Sequence, residues 1–158
     1  MNNEHDGQPA RTGTGQVLLV EDEPADALLI QRALARAGLT SPVRLIEDGE
    51  GALDYLLGNA PYQDRELYPL PALILLDLKL PRLGGIELLR QLKRMQPMGR
   101  IPVIVLTSSA QTEDVERAYE LGANSYLVKP ARFAEFCDVA SQLVGYWLLV
   151  NRQPPLDS

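Results

Sequence analysis

Five residues at the ends of aliphatic runs could together manage an anionic group. Glu21 and Asp22 follow QVLLV, Asp77 closes ALILL, Thr107 follows IPVIVL and Lys129 follows SYLV. Each run reads as a buried strand, so these side chains gather where strands end. Three carboxylates close together repel and raise one another's pKa, and such a cluster calls for a cation; with all-oxygen donors the hard ion Mg²⁺ is favoured. A hydroxyl and an ammonium across the same pocket can cradle an anion. Metal, hydroxyl and Lys around a strand-end carboxylate form a constellation for phosphoryl transfer onto Asp77. A solvated acidic rim would contain the same residues, and Asp77 alone could cap a turn.

The elements that position these residues alternate along the chain. Residues 73–76 are apolar on both sides of the pleat, which predicts a central parallel strand covered on both faces, with Asp77 at its carboxyl end. In open α/β sheets that edge is where ligands bind. Residues 16–20 predict a first strand, and Pro24 opens a helix over 24–37 with Ala27, Ile30, Leu34 and Ala37 on one face before Gly38 stops it. A second strand over 43–46 leads to a helix from Asp48-Gly49 that carries Ala52, Leu53, Leu56 and Leu57. Residues 58–71 (GNAPYQDRELYPLP) break the rhythm and read as a long surface loop.

After Asp77, a helix over 85–95 buries Ile86, Leu89 and Leu92, with Leu88 at its margin, and 101–106 form a fourth strand ending at Thr107, Ser108 and Ser109. The helix over 113–121 has little apolar content (Val115, Ala118, Leu121) and is weakly anchored. Residues 125–128 form a fifth strand, and Pro130 holds Lys129 extended. The last helix starts near Arg132 and repeats Phe133, Phe136, Ala140, Leu143, Val144 and Trp147. Tyr146, Leu148, Leu149 and Val150 carry its apolarity beyond what one face buries. Strands alternating with helices imply a parallel sheet with helices on both sides, because parallel strands need right-handed crossovers.

Composition bounds the function. The 158 residues are 46% hydrophobic and 23% charged, which suits one globular domain over 16–150 between a lead-in at 1–15 and a tail at 151–158. A net charge of -6 argues against nucleic acid as partner. Residues 1–15 hold no apolar run, and no later segment is expected to reach membrane-spanning length. Cys137 is the only cysteine, so the cytoplasm is the natural compartment; His5, in a polar tail, is a poor base or ligand.

Four stretches carry a resemblance: Val20-Glu21-Asp22-Glu23, Leu76-Asp77-Leu78-Lys79-Leu80-Pro81 with Gly84-Gly85, Leu106-Thr107-Ser108 and Val128-Lys129-Pro130. In order and spacing over about 16–144 they resemble the receiver domains of two-component response regulators. The resemblance implies a flavodoxin-like (βα)5 three-layer sandwich of strand order 2-1-3-4-5. It implies that Asp77 is the phosphoacceptor and that Mg²⁺ is held by Asp22, Asp77, Glu21 through water and the backbone carbonyl of Lys79. Thr107 is then the switch hydroxyl, Lys129 the partner of the phosphoryl group and Tyr126 the aromatic that turns inward. The chain departs from the commonest pattern with Glu at 21, which keeps a carboxylate, and Lys at 79.

The long loop over 59–71 and the Trp147-Leu148-Leu149 ending resemble the single-domain regulators of cyanobacterial and bacterial phytochrome kinases. The implied partner is therefore a sensor histidine kinase of phytochrome type. The implied assembly is a homodimer through the fourth helix, fifth strand, fifth helix and C-terminal extension. The only catalysis implied is self-catalysed phosphoryl transfer and its reversal by hydrolysis. Fewer than twenty residues follow the receiver core, so output by protein contact is expected. A small-molecule phosphohydrolase would usually carry a second acid where Lys79 stands. A dinucleotide fold needs a glycine-rich turn where VEDEPAD stands. Intact acids, Thr107 and Lys129 weigh against a receiver-shaped module that is never phosphorylated.

Overall fold

The computed structural model of the chain describes residues 15–156; the expected lead-in, with His5, lies almost wholly outside the described residues. Strands β1 (Val17–Val20), β2 (Arg44–Ile46), β3 (Leu73–Leu76), β4 (Val103–Thr107) and β5 (Ser125–Val128) are all parallel. Their order is β2-β1-β3-β4-β5, the flavodoxin-like arrangement. Helices α1 (Pro24–Arg36), α2 (Gly49–Leu57), α3 (Gly85–Arg94), α4 (Thr112–Glu120) and α5 (Phe133–Leu143) make the crossovers and outer layers.

The pleat divides the core in two. Val17, Leu19, Leu73, Leu75, Ile104 and Leu106 pack with α1 and α5, through Ile30, Leu34, Phe136 and Leu143 among others. Leu18, Val20, Ile74, Leu76, Val103 and Val105 pack on the opposite face with α2 and α3, and with Ala118 of α4. Successive side chains of a strand point to opposite faces, so an unbroken aliphatic run is the pattern a doubly covered strand needs. Ala118 is the only buried residue of α4, in keeping with its thin apolar content.

Two helix faces differ from expectation. In α2 Tyr55 is fully buried while Leu57 stays 47% exposed. The reason is the loop over 58–71, which closes back onto α2: Tyr62 and Tyr68 stack around Tyr55 at centroid distances of 5.1 and 6.2 Å, and the Tyr55 hydroxyl donates to Pro69 O at 2.8 Å. In α3 Leu88 is buried and Ile86 only half-buried. Arg65 secures the loop by donating to Tyr55 O and Leu56 O at 2.7 Å each and to Tyr68 O at 3.2 Å. Two of these carbonyls belong to the last turn of α2, where backbone donors run out: Tyr55 O accepts otherwise only a long bond from the C-cap Gly58 N at 3.3 Å. Arg65→Ala should therefore destabilise the domain by about 2–3 kcal/mol, since the carbonyls keep their desolvation cost without a charged donor. Urea unfolding would measure this, and a change below about 0.5 kcal/mol would remove Arg65 from the account.

Beyond α5 the chain winds more widely, as a π-type turn over Val144–Val150. Its apolar residues thereby divide: Trp147 and Leu148 pack onto the α1–α5 side of the core, while Tyr146 and Val150 remain 52% and 67% exposed. The loop rings Tyr62 and Tyr68 belong to the opposite core cluster. The run Phe133–Val150, 18 residues at mean hydropathy 1.2, is long and apolar enough by composition to cross a membrane, which corrects the expectation that no segment reaches that length. Its Phe136, Ala140, Leu143 and Val144 are buried in the domain core, the behaviour of a packed helix. Of residues 151–156, Leu156 packs on the α2–α3 side of the core and Pro155 O accepts from Arg100 at 2.9 Å.

Candidate functional site

Backbone hydrogen bonds lock the strand ends together. Asp77 N donates to Val20 O and Glu21 N to Ile46 O, both at 3.0 Å, and Lys129 N donates to Thr107 O at 2.8 Å. Glu21, Asp77 and Thr107 are buried here. Ligand oxygens of Glu21, Asp22 and Asp77 all lie within 4.8 Å of one another, so the three expected acids do converge, with Asp22 on the exposed side. Gly85 permits the following helix to start beside Asp77: a Cβ there would stand 2.4 Å from Asp77 O and 2.6 Å from Leu78 Cα, inside van der Waals contact.

Lys129 lies at the centre. Its ammonium is 2.8 Å from Asp77 Oδ2 and 2.7 Å from Asp26 Oδ2. Glu21 Oε2 is also 2.8 Å away, as an ion pair without hydrogen-bond alignment. The Asp77 side chain is further held by Lys79 N, which donates to Oδ1 at 3.1 Å and fixes the turn after β3. The Lys79 side chain itself is exposed. Thr107 Oγ1 is buried with no hydrogen-bond partner among the described residues. Tyr126 packs against the α2–α3 side of the core, and its hydroxyl donates to Ser109 O at 2.9 Å. Ser109 in turn donates to Asp114 in the first turn of α4. Tyr126 is thus tied to the loop that follows Thr107.

The electrostatics follow from burial. Desolvation pushes the Glu21 carboxyl up to about 7, because the Lys129 ammonium offsets only part of it and Asp77 adds repulsion. Burial alone would raise Asp77 as well, but the Lys129 ammonium and the Lys79 N–H hold it below the usual carboxylate range. For Lys129 burial acts downward, and bonds to Asp26, Asp77 and Glu21 outweigh it, so it stays firmly protonated. A crowded acidic pocket with one shared ammonium and an unpartnered hydroxyl is short of positive charge and built to accept more.

A family model for the response regulator receiver domain matches residues 17–141. The chain belongs to the response regulator receiver family. Its relatives include the probable methanogenesis regulatory protein FilR2 of Methanothrix harundinacea, 43% identical over 87% of this chain and 86% of FilR2. Response regulator Rcp1 of Synechocystis is 36% identical over 84% of this chain and 88% of Rcp1, and its Mn²⁺-bound form superposes with a TM-score of 0.80 at 35% identity, covering 89% of this chain and 99% of that one. The phosphorylated cyanobacterial phytochrome response regulator RcpA superposes with a TM-score of 0.83 at 34% identity, over 90% of this chain and 99% of RcpA. As a receiver, the chain accepts a phosphoryl group from a histidine kinase.

The acids, Thr107 and Lys129 expected at the site are brought to one edge of the sheet, with Tyr126 further back on β5, opposite Val105. Asp26 was not expected there. It stands in the first turn of α1, one helical turn after the strand-end acids, and that position in VEDEPAD is the only sign of it in the sequence.

Proposed function

We propose that Asp77 is the phosphoacceptor and that the receiver works through a Mg²⁺-assisted transfer at this pocket. The observation that carries this reading is the buried Asp77 carboxylate held from two sides, by Lys129 at Oδ2 and Lys79 N at Oδ1. A carboxylate oxygen of Asp77 attacks phosphorus, the P–N bond of the kinase phosphohistidine breaks, and the imidazole keeps the electron pair. Lys129 then faces the new phosphoryl oxygens, and Thr107 Oγ1 gains in them the partner it lacks. Tyr126 and the Ser109–Asp114 contact carry the change to α4, whose weak anchoring lets it respond. The same pocket catalyses slow hydrolysis of its own acyl phosphate, with no separate substrate. Intact-mass measurement after mixing with Mg²⁺ and an autophosphorylated histidine kinase tests the reading; a chain that gains no phosphoryl mass from any kinase or from acetyl phosphate overturns it.

The donor set fits a hard divalent cation: carboxylate oxygens of Glu21, Asp22 and Asp77 lie within 4.8 Å of one another, and the family resemblance adds the Lys79 backbone carbonyl to them. Mg²⁺ there would neutralise charge on the phosphoryl oxygens. Since Glu21 titrates near 7 rather than 4.5, the metal-free fold keeps a proton that the unfolded chain loses. Its contribution to stability is complete below pH 4.5 and is lost as pH rises to about 7. Asp77, shifted down, acts oppositely and only at lower pH. The melting-point rise on adding Mg²⁺ should therefore be larger at pH 8 than at pH 5.5, where the cation must displace the Glu21 proton. Equal rises at both pH values would contradict this ionisation.

The kinase is of phytochrome type in this reading, supported by the similarity to Rcp1 and RcpA. FilR2, at higher identity, bears a different regulatory name, and a transfer assay offering phytochrome and other histidine kinases side by side separates the two inputs. The site of action is the cytoplasm, and with a charge of -6 the output is a protein contact, not nucleic acid. We place a homodimer interface on the face of α4, β5, α5 and the extension, supported by exposed Tyr119, Val128, Tyr146 and Val150. Because Trp147 and Leu148 help to build the core, the test is Tyr146→Ser with Val150→Ser, which leaves both in place and removes only the edge-on ring contact of Tyr146 with Trp147. Sedimentation should shift from dimer to monomer, and the melting point should no longer depend on protein concentration. A monomeric wild type at high micromolar concentration, or a double variant that remains dimeric, counts against the interface.

A further inference from the structure

We infer that Asp26 is a positioning residue for phosphoryl transfer: it holds the Lys129 ammonium before the reaction and is the contact that the ammonium gives up to the phosphoryl group. The inference rests on Asp77 as acceptor and adds a residue that the strand-end signatures do not include.

An ammonium has three protons to offer. Lys129 faces three carboxylates, at 2.8 Å from Glu21, 2.7 Å from Asp26 and 2.8 Å from Asp77. Its side chain is only 8% exposed, so little room remains for a further acceptor. Phosphorylation turns one Asp77 oxygen into the bridging oxygen of an acyl phosphate and brings in dianionic oxygens that must be neutralised. Two of its protons go to Asp26 and Asp77, while Glu21 stands at ion-pair distance without hydrogen-bond alignment, so in this closed shell the ammonium meets the new oxygens by giving up one of these contacts. Glu21, 1% exposed at the end of β1, has no access to water, and its release would strand a buried carboxyl. Asp26 is 34% exposed in the first turn of α1, where water and the helix N-terminus can take over its charge at small cost. Asp26 is thus the acceptor that can be exchanged.

Two consequences have the same sign. While Asp26 is charged it competes for Lys129, and it adds a negative charge beside the path of an anionic phosphodonor. Asp26→Asn removes both effects and leaves Glu21 and Asp77 to keep Lys129 in place. The partial exposure of Asp26 limits the gain, so phosphorylation by acetyl phosphate with Mg²⁺ should quicken by about threefold, and beryllofluoride, a phosphoryl mimic, should bind about threefold more tightly. Asp26→Glu restores the charge and should return both quantities toward wild type, which a purely structural role in the α1 turn would not require. The ¹⁵N signal of the Lys129 ammonium gives a direct reading: it should move in Asp26→Asn without ligand, and the variant and wild type should converge once beryllofluoride is bound. An Asn variant no faster and no tighter than wild type, a Glu variant that behaves like Asn, or ammonium signals that remain apart in the bound state would each overturn the inference. If wild type itself takes no phosphoryl group at Asp77, it is the underlying assignment of the acceptor that fails.

Discussion

Asp77→Asn should take up no phosphoryl group from a kinase or from acetyl phosphate, while melting within a few degrees of wild type. The amide has the volume of the carboxylate, and its oxygen can still accept from Lys79 N, so the turn after β3 is preserved. The nucleophile is gone, because a neutral amide oxygen does not attack phosphorus at a useful rate. Two electrostatic changes nearly offset each other. Lys129 loses one of its three anionic partners, and Glu21 loses the neighbouring charge that helped to raise its pKa. The pH dependence of Mg²⁺ stabilisation should consequently flatten in the variant. Intact mass and a melting curve on one preparation decide the matter: an Asn variant that gains an acid-labile phosphoryl group at the wild-type rate would place the acceptor elsewhere, with Asp22 the nearest remaining carboxylate on the exposed side of the pocket.

The strand ends were legible because each is marked twice, by an aliphatic run and by the polar residue that ends it. Leu73–Leu76 followed by Asp77, and Val103–Leu106 followed by Thr107, fall where the pleat and burial place them. Strand boundaries differ from expectation by one or two residues, at Gln16, Val43 and Ile101. The strand order came from family resemblance, since an aliphatic run says that a strand is central without saying which strand lies beside it. What stayed hidden depends on how separate segments meet. Arg65 is one cation in a polar loop, and nothing local shows that it reaches the last turn of α2. Tyr55 is a polar-tipped ring whose full burial requires a carbonyl that the same loop supplies. Asp26 sits on the buried-site side of α1 only because α1 crosses over β1 and β3 in one hand and at one depth. The wider winding over Val144–Val150 likewise leaves no local mark, since the residues that turn inward there would serve an ordinary helix equally well.

Lys129→Ala should produce the largest loss of stability among single changes at the site. It leaves Glu21 and Asp77 buried, and Asp26 and Asp22 close by, with no cation among them. Removing one partner from a buried ionic cluster typically costs about 3–5 kcal/mol, because the remaining charges keep their desolvation penalty. In a domain of this size that corresponds to a fall in melting temperature of roughly 6–20 °C. The cost should depend on pH. Glu21 can take up a proton near neutrality already in wild type, and without Lys129 it should do so at still higher pH, so the variant should be much closer to wild type at pH 5.5 than at pH 8. Mg²⁺ supplies the missing positive charge, so its stabilising effect at pH 8 should be greater in the variant than in wild type. Phosphorylation of Asp77 should persist, though more slowly, because the acceptor remains while one neutralising group is lost. The response around Tyr126 and α4 should fail, because the phosphoryl group no longer has the contact from β5 that distinguishes the two arrangements. Melting curves at the two pH values, with and without Mg²⁺, test the electrostatic claim apart from the signalling one. A variant that melts within about 2 °C of wild type at pH 8 without metal would mean that Glu21 and Asp77 do not depend on Lys129 for their burial.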